Sequence, residues 1–212
     1  MSVREKIVSV LGIPVFLVPC EYGTKRPLVT YVGRPFEGTQ TPAYLALFEA
    51  EPTNIAVYLG KASGGLCAID FDSDEDLAAF LAANPKLADT TRSRGSRGGM
   101  VWVRIAGDYP ESCNPAHKHF EWRADGRLSM IYGRHPKGMD YTLVVDAPPV
   151  TLAFEEIVWP ADWELPWEDA GDENLKQLYG EPFYTNDKGA ITGINEAYWA
   201  GLYARENELL FE

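Results

Sequence analysis

Gly65-Leu-Cys-Ala-Ile-Asp-Phe-Asp-Ser73 is an apolar run that delivers two carboxylates, Asp70 and Asp72, just before a helix start. Side chains alternate across a strand, so Asp70 and Asp72 share one face while Ile69 and Phe71 point into a core on the other. Two like charges so close repel unless something neutralises them. Mg²⁺ or Mn²⁺ does so with one or two carboxylates, the remaining positions being filled by water and phosphate oxygens. The competing reading gives both acids to the helix cap, since Asp74, Glu75 and Asp76 occupy favourable first-turn positions after Ser73.

Outward from this stretch, the spacing predicts a helix over Ser73 to Ala83 that stops at Asn84-Pro85. On the other side lies a strand over Asn54 to Leu59, and the intervening Ser63-Gly-Gly65 suggests a hairpin with Leu66 to Phe71. The chain opens with a helix, Ser2 to Leu11, and a strand, Pro14 to Val18. A turn-rich loop with Lys25 follows, then a short helix near Ala43 to Ala50. Beyond Thr90 an Arg/Ser/Gly ribbon, Arg92 to Gly99, leads into a strand over Met100 to Ile105 and reads as a polar hairpin. Such a ribbon brings backbone N–H groups and guanidinium forks close to phosphates. Further β-like runs are His119 to Arg123, Leu128 to Tyr132 and Tyr141 to Val145. Val150 to Val158 reads as a helix, Pro160 to Pro166 as a tryptophan-rich connector, and Leu175 to Tyr179 and Ile194 to Glu208 as helices. The pattern is α+β, dominated by antiparallel strands.

With 212 residues and 46% hydrophobic content, the chain can bury a sizeable core. No stretch approaches the ~20 apolar residues of a membrane span, and the N-terminal segment is amphipathic rather than signal-like, so a cytoplasmic location and no membrane partner are expected. Cys20, Cys67 and Cys113 are odd in number and far apart, which argues for reduced thiols. The net charge of −12 opposes non-specific nucleic-acid binding. Its distribution softens that objection, because Thr90 to Gly138 holds nine basic residues against four acidic ones. A basic centre on an acidic body suits a nucleotide or nucleic-acid site.

Glu121 in Phe120-Glu-Trp-Arg123 is a third acid, sharing a strand face with Arg123. Two carboxylates plus a third on a neighbouring strand suit the paired metals of phosphoryl transfer, with arginines neutralising developing charge. A same-face surface ion pair is the alternative. Cys113, His117 and His119 are closely spaced but lack a fourth ligand, so zinc is not favoured. Gly60-Lys-Ala-Ser63 lacks the glycine of a Walker loop. Tryptophans such as Trp159, Trp163 and Trp167 could stack bases, but core packing accounts for most of them.

In this order, Asn54-Ile-Ala-Val-Tyr-Leu-Gly60, the Asp-x-Asp strand, the Arg/Gly hairpin, Glu121-Trp-Arg123 and Tyr132-Gly-Arg-His-Pro-Lys-Gly-Met-Asp-Tyr141 resemble the bifunctional DNA primase/polymerase (prim-pol) domain. That is a branch of the archaeo-eukaryotic primase superfamily found in phage, plasmid and mobile-element replication proteins. The resemblance runs from Gly12 to Trp159. It implies a two-lobed fold with an RNA-recognition-motif-like catalytic lobe and template-directed nucleotidyl transfer. It maps the metal ligands, and with them the catalytic residues, onto Asp70, Asp72 and Glu121. Arg92, Arg94, Arg97, Arg123 and His135 would handle phosphates, with Lys25 as an outside candidate. Expected partners are a single-stranded DNA template, nucleoside triphosphates and a fused or separate helicase. The catalytic domain is expected over 1–168, with a helical extension over 169–212 leading towards a helicase region. The apolar ending Leu209-Leu-Phe-Glu212 reads as a chain that continues or as a docked terminal helix.

The chain departs from the family at one point. Many family members place a phosphate-contacting histidine on the strand after the glycine pair, where this sequence has Met100, Val101 and Trp102. A non-catalytic nucleotide- or DNA-binding module of a replication helicase is therefore a rival expectation. A Mn²⁺-dependent nucleotide-sugar transferase, which also ends a strand in Asp-x-Asp, is a more distant one.

Overall fold

Of the first two helices, α1 (Val3–Leu11) and the short α2 (Pro42–Leu45), the former starts where Ser2 and Glu5 close a capping box. The Ser2 hydroxyl accepts from the Glu5 N–H at 3.2 Å, and the Glu5 carboxylate accepts from the Ser2 N–H at 2.7 Å. The computed structural model describes residues 1–49, 52–113, 119–167, 178–186 and 190–208. They fall into two compact units, Met1–Trp163 and Glu164–Glu212.

In the first unit, nine strands among the described residues form one sheet, ordered β1-β2-β7-β8-β4-β5-β3-β6, with β9 beside β5. One group comprises β1 (Phe16–Glu21), β2 (Thr53–Tyr58) and β7 (Leu128–Arg134), all antiparallel. The other is centred on β3 (Leu66–Phe71), flanked by β5 (Gly99–Ile105) and β6 (Glu121–Arg123), again antiparallel. Beyond β5 lie β4 (Arg92–Arg94) and then β8 (Asp140–Val145). The two groups meet where Gly133 pairs with Tyr141 and Arg134 with Asp140. The fold is α+β with a mainly antiparallel sheet, as the sequence pattern indicates.

Both faces of β3 are covered, which explains its continuous apolar run. Leu66 and Ala68 join Trp102, Ile131 and the Ile7 and Leu11 face of α1 in one core cluster. On the opposite face, Phe71 packs 5.2 Å from Phe80 of helix α3 (Asp74–Ala83), ring centroid to centroid, and 6.2 Å from Trp163. Trp159 continues that layer, 4.4 Å from Phe120 and 5.4 Å from Phe80. Trp159 and Trp163 are thus packing residues. The Ser73 hydroxyl caps α3 by accepting from the Glu75 and Asp76 N–H groups, both at 3.2 Å. Such a cap contributes about 1 kcal/mol.

Three sequence expectations are corrected. The strands over Asn54 to Leu59 and Leu66 to Phe71 do not form a hairpin; only Gly60 and Leu66 bridge. Ser63 turns the chain away, donating its hydroxyl to the Tyr58 carbonyl at 2.7 Å and accepting from the Phe16 N–H at 2.8 Å. The helix expected over Val150 to Val158 is instead strand β9 (Val150–Leu152), parallel to β5, followed by a 3₁₀ turn at Phe154–Glu156. Two prolines precede it, β-branched Val150 and Thr151 favour extension, and the edge of β5 supplies pairing partners. The extension read as helical also contains an antiparallel pair, β10 (Phe183–Thr185) and β11 (Ile191–Ile194), before helix α4 (Glu196–Glu208). Of the helix expected at Leu175 to Tyr179, residues 175–177 lie outside the described residues, as do His117 and the terminal 209–212. None of the described helices is long and apolar enough to cross a membrane.

Candidate active site

Where the two strand groups join, the structure opens a cleft of about 130 Å³. β3 brings Asp70 and the residue just past its end, Asp72, to this cleft. β4 contributes Arg94, the ribbon that joins it to β5 contributes Arg97, β6 contributes Arg123, and the turn after β1 contributes Lys25. His135, from the turn between β7 and β8, and Tyr141 of β8 complete the rim. Residues scattered along more than half of the chain therefore face one space.

The ribbon reaches this position because residue 98 is glycine. Gly98 has φ +57°, and a Cβ there would lie 1.8 Å from the Phe71 carbonyl oxygen. A side chain is sterically excluded where the ribbon closes on the end of β3. Arg94 is then fixed by a forked pair to Asp74 in the first turn of α3, at 2.5 and 2.9 Å. Arg97 is freer, 63% exposed and 3.3 Å from the 88% exposed Asp72.

Asp70 and Glu121 stand directly opposite each other on paired strands, where Cβ atoms are about 4.5–5.5 Å apart. The Arg123 guanidinium neutralises both: its Nη2 lies 2.6 Å from Glu121 Oε2 and 3.2 Å from Asp70 Oδ2. Burial raises the Asp70 carboxyl above its ordinary range; Arg123 opposes the shift, while Glu121 and Asp72 add to it through repulsion. Asp70 is an acid short of positive charge.

His135 is held in a tight turn, its ring Nδ1 accepting from the Lys137 N–H at 3.0 Å. That bond leaves the proton of the neutral ring on Nε2. Burial, then Lys25 and Lys137, lower its pKa, so at neutral pH the imidazole is an uncharged N–H donor. Its ring meets Tyr141 edge-on at 5.4 Å.

Two expected site residues lie elsewhere. Arg92 is not among the residues lining the cleft; it lies within β4, paired to Val101 and Val145, and its Nε is buried without a hydrogen-bond partner. Glu121 also stays off the cleft lining, its carboxylate engaged by Arg123. Sequence reading gave no role to Met100, which stands opposite Asp70 in the β3–β5 pairing and lines the cleft. Nor did it give one to Tyr141, whose hydroxyl is buried without a partner. The register of the Asp-x-Asp strand against β5 was the missing signal for Met100. Cys113 pairs its backbone with Trp122, and His119 stacks on Trp163 at 4.6 Å with Asp76 2.7 Å from its Nδ1.

Among the described residues, no three histidine, cysteine, aspartate or glutamate side chains gather closely enough to hold a metal ion. Asp70 and Asp72 nevertheless fit the smaller requirement of Mg²⁺ or Mn²⁺, hard oxygen donors on one cleft beside cations suited to phosphate. With this fold and cleft in view, the comparison with protein families is direct. The model for the bifunctional DNA primase/polymerase N-terminal domain matches residues 8–157, and the chain belongs to that family. Its chemistry is accordingly nucleotidyl transfer of the primase/polymerase type. No curated protein matches the chain.

Proposed function

We propose that this domain binds a nucleoside triphosphate and a single-stranded DNA template in the cleft and extends or initiates a primer during replication of a phage or other mobile element. The supporting observation is the convergence of Asp70 and Asp72 with Lys25, Arg94, Arg97, Arg123 and His135 on one space. Asp70 and Asp72 would hold Mg²⁺ or Mn²⁺, which when bound supplies charge for the nucleophile and the departing pyrophosphate. Arg97 and Lys25, both exposed, draw in the triphosphate. His135 donates a neutral hydrogen bond to it. Arg123, shared between Asp70 and Glu121 at the cleft, would add positive charge facing the phosphates. Glu121 keeps that guanidinium in place. A helicase, fused or separate, would bring grip on DNA that the acidic body of this chain lacks.

Primer extension on a single-stranded template, with dNTPs or NTPs and Mg²⁺ or Mn²⁺, tests this. Wild type extends, and the Asp70→Ala/Asp72→Ala double variant does not. Met100 beside Asp70 favours a second reading, a binding module without catalysis, because a thioether cannot donate to phosphate. In that case the wild type binds nucleotide or template and leaves the primer unchanged.

A further inference from the structure

Asn54 sits in β2 at 0% exposure, yet its polar atoms reach Thr24, in the turn after β1, and Arg134, the last residue of β7. Its Nδ2 donates to the Thr24 carbonyl at 2.8 Å and to the Arg134 carbonyl at 2.8 Å. Its Oδ1 accepts from the Arg134 N–H at 2.7 Å. The next residue after each is a cleft residue in a turn, Lys25 after Thr24 and His135 after Arg134. Each turn is closed locally as well: Glu21 N–H donates to the Arg26 carbonyl at 2.9 Å, and His135 N–H donates to the Met139 carbonyl at 2.6 Å. These local bonds set the shape of each turn. The Asn54 amide sets where one turn stands relative to the other.

The packing around this amide leaves it no freedom. Gly133 has φ +105°, and a Cβ there would lie 1.9 Å from Asn54 Oδ1. Both donors and the acceptor are satisfied, and a satisfied polar group in a dry interior has one arrangement. A hydrophobic residue at this position would leave the Thr24 carbonyl and the N–H and carbonyl of Arg134 without this partner. The amide serves all three at once and so ties the Thr24 turn to the end of β7.

We infer that Asn54 is a positioning residue, which holds the Lys25 and His135 turns at the spacing that lets both side chains grip one triphosphate. The inference rests on the nucleotide-binding reading above. Its physical content is orientation, since two ligands act together only when their anchors are fixed.

Affinity for a fluorescent nucleoside triphosphate, together with KM and kcat in primer extension, tests the inference. Asn54→Asp keeps the shape and the Arg134 N–H bond but sets an oxygen against two carbonyls. Its affinity is expected to fall, and its KM to rise, about tenfold or more, with kcat within a few-fold of wild type. Lys25→Ala and His135→Ala each weaken binding in wild type but add less than about twofold in the Asn54→Asp background, because contacting groups are non-additive. Asn84 supplies a matched control. It is 1% exposed and likewise staples backbone, donating to the Phe80 and Val158 carbonyls at 2.9 and 2.6 Å, and it does not line the cleft. Asn84→Asp is expected to lose thermal stability without losing nucleotide affinity.

Equal affinity loss in both Asp variants at equal loss of melting temperature would overturn the inference, as would full multiplication of the Lys25 and His135 effects. If wild type binds nucleotide and Asn54→Asp binds it equally well, only this inference falls. If wild type binds no nucleoside triphosphate, the function proposed above falls and takes this inference with it.

Discussion

Replacing Arg123 with methionine keeps the apolar stem but removes the cation between Asp70 and Glu121. The lost contacts are charge-assisted bonds of 2.6 and 3.2 Å, between side chains 18–32% exposed. Stranding fully buried charges costs about 3–5 kcal/mol. Partial access to water reduces this, so about 2 kcal/mol, or about 4–8 °C in melting temperature for a domain of this size, is expected. The pH dependence identifies the cause. The Asp70 carboxyl already sits above its unfolded-state range, and Arg123 is the largest influence pulling it down. Without that cation the folded state holds the proton to still higher pH. A carboxyl raised on folding lowers stability as pH climbs from its unfolded to its folded pKa, because the native state binds more protons there. The deficit of Arg123→Met should therefore be smallest below the ordinary carboxylate range and grow towards neutral pH. Urea unfolding followed by tryptophan fluorescence, in EDTA at pH 4.5 and pH 8, measures it. Mn²⁺ at a hundredfold excess over its Kd should then return about 2.7 kcal/mol at pH 8 by binding only the folded state. A deficit equal at both pH values would mean that Arg123 acts through packing, and the electrostatic account would be wrong.

Other variants test separate parts of the site. Asp70→Asn removes the charge that burial disfavours, so in EDTA at pH 8 it should melt no lower than wild type while losing primer extension; a clear drop in melting temperature would contradict this. Gly98→Ala forces a Cβ into the Phe71 carbonyl at positive φ. It should cost about 1–3 kcal/mol in urea unfolding and raise the nucleotide KM by displacing Arg97. Tyr141→Phe removes a hydroxyl that is buried without a partner. Since such a group costs about 1–3 kcal/mol, the variant should be as stable as wild type or more so, and calorimetry would show it.

Much of this molecule was legible because its signals are local. The Asp70 strand, the Ser73 cap with its acidic first turn, and the stop at Asn84-Pro85 each depend on neighbours within a few residues, and the structure has them in place. The α+β class follows from the same local periodicities. Readings that required knowing a strand's partner fared differently. Gly64-Gly65 looked like a hairpin turn, yet Ser63 directs the chain to a different group of strands. Val150 to Leu152 became a strand because the edge of β5 was vacant beside it.

The site divides along the same line. The sequence by itself determined which acids and cations exist, and that Asp70 and Asp72 share a face, because alternation within one strand requires it. Only the tertiary structure decided what faces them. Strand register set Glu121 and Met100 against Asp70, and the packing of β2 against β7 let Asn54 join two distant segments. Register is fixed by burial summed over the whole sheet, since a one-residue slip exchanges every inward side chain for an outward one. That sum is a property of strands far apart in the chain, and no single segment carries it.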